Sequence, residues 1–214
     1  MPAPAGYAEI EAAAQAAGLI VMGALLHEGR TLILLGAGAA FWPVFRAAPE
    51  ATDTQPDPVD RWSLRVVGAL AERFDATALF PFGGPPYQPF IAWARASGRA
   101  FQSPVGMLVH DSVGMMISYR GALHLPGEIA CPVPAGVSPC DSCAAKPCTT
   151  ACPVGALSAD RPYDLDACHG FLDTRPGQDC MAQGCAARRA CPLSAGAGRE
   201  PAQSAHHMKV FHKR

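Results

Sequence analysis

Cys140-Asp141-Ser142-Cys143-Ala144-Ala145-Lys146-Pro147-Cys148-Thr149-Thr150-Ala151-Cys152-Pro153 is a C-x2-C-x4-C-x3-C-P run. A second group follows, Cys168, Cys180, Cys185 and Cys191, and it too closes in Cys-Pro, at Pro192. Eight of the nine cysteines therefore lie between residues 140 and 191 of a 214-residue chain. Eight thiolates are what two 4Fe-4S clusters need, and a Cys-Pro close on each run is an iron–sulfur habit. Short gaps let the backbone wrap one face of a cluster, while the cysteine before the proline points away and ligates the other. On that rule one cluster takes Cys140, Cys143, Cys148 and Cys191. The second takes Cys152, Cys168, Cys180 and Cys185. Val154-Gly155-Ala156-Leu157 then starts a short helix behind the first run.

Other chemistries use cysteines differently. Structural zinc sites pair two C-x2-4-C knuckles, unlike the C-x3-C-P and C-x5-C-P closes here. A disulfide framework belongs to small secreted domains, and no basic segment precedes Leu19–Leu26, the longest apolar stretch. The x4 gap and the looser second run leave a three-iron cluster or an empty site open as alternatives. Cys131, followed closely by Pro132 and Pro134, reads as a lone linker thiol, with a spare ligand or redox thiol as the other reading.

Upstream the pattern changes. Tyr7–Ala17 has helical character and stops at Gly18. Leu19–Met22 and Thr31–Leu35 flank Glu28-Gly29-Arg30, a hairpin signal. A short apolar helix is expected over Phe41–Ala47, and an amphipathic one from Pro58 to Phe74 with Asp57 as its N-cap. Strands are expected at Ala78–Phe80, Met107–His110 and Met115–Leu123, with a helix at Phe90–Ser97. Gly36-Ala37-Gly38 is no dinucleotide fingerprint, because the third glycine and a following parallel strand are missing. The Pro- and Gly-rich stretch 128–139 marks a boundary, beyond which metal–thiolate bonds replace an apolar core. The division expected is 1–127, 128–200 and a basic tail at 201–214 that frays into solvent.

Half the residues are hydrophobic, 16% are charged, and the formal net charge is −1, which speaks against nucleic-acid binding. No apolar stretch reaches the roughly 18 residues of a membrane span. A cytoplasmic protein, in a compartment where thiolates stay reduced, is the expectation.

Cys152-Pro153-Val154-Gly155-Ala156-Leu157 and Tyr163-Asp164-Leu165-Asp166-Ala167-Cys168 resemble the cluster domain of epoxyqueuosine reductases and corrinoid reductive dehalogenases. His110-x3-Gly114-x5-Arg120-Gly121-x3-Leu125-Pro126-Gly127, with Asp57-Pro58-Val59-Asp60, is similar to the cobalamin-processing (decyanating) proteins of the same superfamily. The resemblance implies an α+β fold, in which a nitroreductase-like α/β sandwich domain precedes a small two-cluster, ferredoxin-like domain. It also implies a corrinoid or flavin contacted by His110 and Arg120, with Gly114 allowing close approach. Where the reductases carry an acidic proton donor, Pro81–Tyr87 has no carboxylate. Tyr87 is the weak acid there and, with tyrosine's ordinary pKa of about 10, a poor substitute, so epoxide reduction on tRNA is not expected. Asp111 stands where those proteins have proline, and Met115-Met116 where they have Gly-Trp.

Read without the resemblance, His110 is a hydrogen-bonded core histidine, Arg120 a partner for a carboxylate such as Asp111, and Met107, Met115 and Met116 core filler. His169 is a group beside a ligand rather than a ligand. The leading function is an electron carrier with two 4Fe-4S clusters and a redox partner protein. The alternatives are a corrinoid-reducing or corrinoid-processing enzyme and a zinc-stabilised interaction module, with a homodimer as a candidate assembly.

Overall fold

Thr31-Leu32-Ile33-Leu34-Leu35-Gly36-Ala37 has no polar alternation, so its strand must be covered on both faces. A computed structural model, which describes residues 6–213, shows how. The elements begin with α1 (Tyr7–Ala16), β1 (Leu19–His27), β2 (Arg30–Ala37), α2 (Phe41–Arg46) and α3 (Pro58–Arg73). Next come β3 (Thr77–Leu79), α4 (Phe90–Ala96), β4 (Ala100–Gln102), β5 (Leu108–His110) and β6 (Tyr119–His124). The last part is helical: α5 (Leu165–Leu172), α6 (Gln178–Gln183), α7 (Ala186–Ala190) and α8 (Pro201–Phe211). The fold is mixed α+β, with a small antiparallel sheet and several helices.

The chain forms two compact units that interleave in sequence. One runs through Arg99 and resumes at Ser118–Gly136; the other holds Ala100–Ile117 and everything from Val137 on.

The first unit is built on a four-stranded antiparallel sheet in the order β1-β2-β6-β3. Glu28 and Gly29 both take positive φ, 50° and 74°, which gives the primed two-residue turn whose twist suits a hairpin. On one face Ile33, Leu35 and Leu123 meet Ile10 of α1, Phe41 and Phe45 of α2, and Trp62 and Val67 of α3. Leu32 and Leu34 point to the other side and are fully buried as well. A bulge between Val21 and Gly23 throws Met22 across β2, and a Cβ at Gly36 would lie 1.9 Å from its Sδ.

Local chemistry departs from the sequence expectation in four places. Asp57 precedes α3, but at φ 50° it lies outside the extended region a cap requires, and its side chain makes no cap bond. Val154–Leu157 forms turns instead of a helix, because Gly155 is left-handed at φ +60°. Residues 115–117 do not join β6, and side chains of the second unit take up their backbone groups instead. Arg188 bonds the carbonyls of Met115 and Ile117, Arg199 that of Met116, and Ser194 Oγ accepts the Met115 N–H. The C-terminal segment is not a frayed tail: α8 opens on a proline in its first turn, packs on α6 and buries Gln203 and Ser204.

Glu50 gives the first unit a pH-sensitive contact. Its carboxylate is buried and takes two bonds from Arg65, at 2.5 and 2.9 Å, and that guanidinium holds the carboxyl below the usual glutamate value. A carboxyl depressed in the folded state stabilises above its unfolded pKa of about 4.3 and loses that contribution as pH falls through the folded value. Urea midpoints should therefore decline below about pH 4.3. The decline should be shallower in Glu50→Gln than in the wild type.

Candidate metal centres

The second unit has a small core of its own, Val105, Val109, Met115, Leu157 and Ala187 around the buried Cys148. Cys140, Cys152, Cys185 and Cys191 pack against that core, so residues of both cysteine runs share it. All nine cysteines are free thiols.

Eight of them line two cavities. Cys140, Cys143, Cys148 and Cys191 line one of about 290 Å³, together with Pro139, Pro147, Pro192 and Lys146. Cys152, Cys168, Cys180 and Cys185 line the other, of about 140 Å³. The grouping crosses the sequence order, taking Cys191 to the first run and Cys152 to the second. Prolines 153 and 192 turn the chain directly after these two crossing residues.

The electrostatics divide the same way. Burial raises the Cys140 thiol, with further upward pushes from Cys191 and Cys143, while a bond with Ser138 opposes it. Cys148 rises through burial and then through Cys140, Cys191 and Cys143. Burial also raises Cys168, against a hydrogen bond from Tyr163, with Cys185, Cys152 and Cys180 adding to the rise. Cys185 is raised by burial too, but the backbone N–H groups of Arg188 and Ala187 and the Arg188 charge pull it back. Each of these four thiols thus feels thiols of its own set.

Among the described residues, no group of three or more His, Cys, Asp and Glu side chains stands ready to hold a metal ion. Four thiols line each of the two cavities, of about 140 and 290 Å³, and a soft all-thiolate donor set of this kind fits an iron–sulfide core as well as zinc.

The residues singled out by resemblance fall in both units. His110 and Gly114 belong to the cysteine-bearing unit and face each other across a one-residue bridge. His110 is fully buried, and its Nδ1 lies 3.0 Å from Ser112 Oγ and 3.1 Å from Asp111 Oδ1. Arg120 and Tyr87 belong to the sheet unit. Arg120 pairs with Asp60 at 3.2 Å rather than with Asp111, since strand β6 lies beside α3 and Asp111 turns to His110. Burial lowers the Arg120 pKa, and Asp60 opposes that shift. Tyr87 is 66% exposed. Met115 and Met116 are buried, and Met107 packs on the core of its unit. His169 sits with its Nδ1 2.8 Å from His212 Nδ1, stacked on Phe211. Cys131 lines neither cavity; its thiol donates to the Ile129 carbonyl at 3.7 Å.

Gly114 has a contact that explains it within its own unit. At φ +58°, a Cβ there would come 2.5 Å from the Ser194 backbone nitrogen and 2.7 Å from Leu193, directly after Cys191-Pro192. Gly114→Ala should cost roughly 1–3 kcal/mol from the backbone alone. A lower denaturation midpoint, with loosening confined to the Cys191 loop by hydrogen exchange, is the expected readout.

Two participants were hidden from the sequence. Arg188 lines the second cavity and braces residues 115–117, and Tyr163 bonds Cys168. The sequence signal was the basic pair Arg188-Arg189 placed between Cys185 and Cys191. No protein-family model matches this chain, and no curated protein matches it.

Proposed function

We infer that this is an electron-transfer protein whose cysteine-bearing unit holds two 4Fe-4S clusters, one per cavity. The observation that carries the reading is the arrangement of eight free thiols as two rings of four, each around its own space. In this reading the second unit is a two-cluster, ferredoxin-like unit and the first a nitroreductase-like one. Each cluster, when bound, takes up and returns one electron at a time.

The chain's own residues would do the rest. Cys140, Cys143, Cys148 and Cys191 hold one cluster, and Cys152, Cys168, Cys180 and Cys185 hold the other. Val109 and Met115 wall the first cavity, and Leu157, Leu172 and Phe171 the second, which gives each set of thiols one apolar side. Ser138 and Tyr163 are positioned as hydrogen-bond donors to one thiolate in each ring. Among the described residues no helix is long and apolar enough to cross a membrane.

Anaerobic addition of dithionite tests the reading. Broad visible absorbance that bleaches on reduction and returns with air, accompanied by paramagnetic signals of reduced clusters, is the expected result. A colourless, redox-silent protein would refute it and favour a structural metal.

A further inference from the structure

The two rings are not electrostatically alike. Arg188 extends from α7 into the wall of the second cavity, where its Nε and Nη2 donate to the Met115 and Ile117 carbonyls at 2.6 and 2.9 Å. Among the described residues no carboxylate pairs with it, and the Cys185 thiol and the Tyr163 hydroxyl are the acidic groups that act on it. A guanidinium stays charged under all ordinary conditions. Withdrawn from water without a carboxylate, it is costly unless an anion compensates it. The anion available is the ring of thiolates beside it.

The same ring receives more hydrogen bonds. Tyr163 forms part of the cavity wall and bonds Cys168, and the N–H groups of Ala187 and Arg188 point to Cys185. The first ring has Ser138 on Cys140 and one backbone N–H on Cys148, and the cation on its wall is Lys146, which is exposed and screened by solvent.

We propose that Arg188 and Tyr163 set the second site, Cys152/Cys168/Cys180/Cys185, at a higher reduction potential than the first, so that the first electron entering the protein rests there. This rests on the two-cluster reading above. Reduction adds one electron and one negative charge to the site, from dithionite in the test, with no bond made or broken and no proton moved. A fixed cation and a neutral donor stabilise the more negative state, and net charge and hydrogen bonds to sulfur are what tune such sites. Arg188 and Tyr163 are positioning residues: they act through the ligands.

The test is an anaerobic redox titration of the full chain, followed by electron paramagnetic resonance. Two midpoints are expected in the wild type. Cys191→Ser, which removes a ligand of the first ring only, should keep the upper one. Tyr163→Phe and Arg188→Met should each lower the upper midpoint and leave the lower one in place. Tyr163→Phe removes a single hydroxyl and serves if Arg188→Met does not fold. Equal midpoints, an upper midpoint lost in Cys191→Ser, or no movement of the upper midpoint in Tyr163→Phe would overturn the proposal while the two-cluster reading stands. Wild-type protein without iron and sulfide would overturn both.

Discussion

Cys191→Ser should strip the chain of about half its iron and sulfide, and the half that goes is the one held by Cys140, Cys143 and Cys148. Sequence proximity gives the opposite expectation, since Cys191 lies six residues beyond Cys185 and far from Cys148. The cavities decide otherwise: Cys191 lines the space of the first run, and its chemical neighbours there are Cys140 and Cys148. The loss should be large because three thiolates leave one iron of the core open to water and exchange. Metal binding is also folding energy in a unit whose apolar core is this small, so the variant should unfold at lower denaturant. Cys185→Ser is the control and should remove the other half. Iron analysis of both variants checks the crossing directly. If Cys191→Ser instead empties the Cys180/Cys185 site, the crossed assignment is wrong.

Trp62→Ala should be the most damaging single change in the sheet unit, lowering its stability by about 3–5 kcal/mol. Trp62 is 1% exposed and sits edge-on to Phe41, 5.1 Å between ring centroids at 84°, and to Phe45 at 6.5 Å and 89°. Removing it opens a cavity among α2, α3 and the sheet and deletes two aromatic contacts together. Neighbouring side chains are already buried, so little can move in to fill the space. A surface control on the same helix, Leu64→Ala at 48% exposure, should change stability by a few tenths of that amount. Denaturant unfolding of both variants, read through the remaining tryptophans, gives the comparison.

The hairpin was legible because Glu28-Gly29 admits positive φ between two apolar runs, a signal that needs no distant partner. The amphipathic pattern from Pro58 to Phe74 was legible for the same reason, and its buried residues Val59, Trp62, Val67 and Leu70 follow helical spacing. What failed depended on tertiary partners. Residues 115–117 have strand-like composition, yet Arg188, Arg199 and Ser194 claim their backbone groups, and no local pattern announces that. Likewise α8 was invisible as a packed element because its burial runs through Gln203 and Ser204 rather than through large apolar residues. At the candidate site the ligand types and their spacing were written in the sequence. Arg188 and Tyr163 were not, since what matters about them is which cavity they line.

The measurement that bears most directly on the two-cluster reading is the content of iron, acid-labile sulfide and zinc in full-length protein purified without oxygen. About eight iron and eight sulfide per chain, with no zinc, is the expected result. Stoichiometric zinc without sulfide would contradict it and leave two structural thiolate sites in place of an electron carrier.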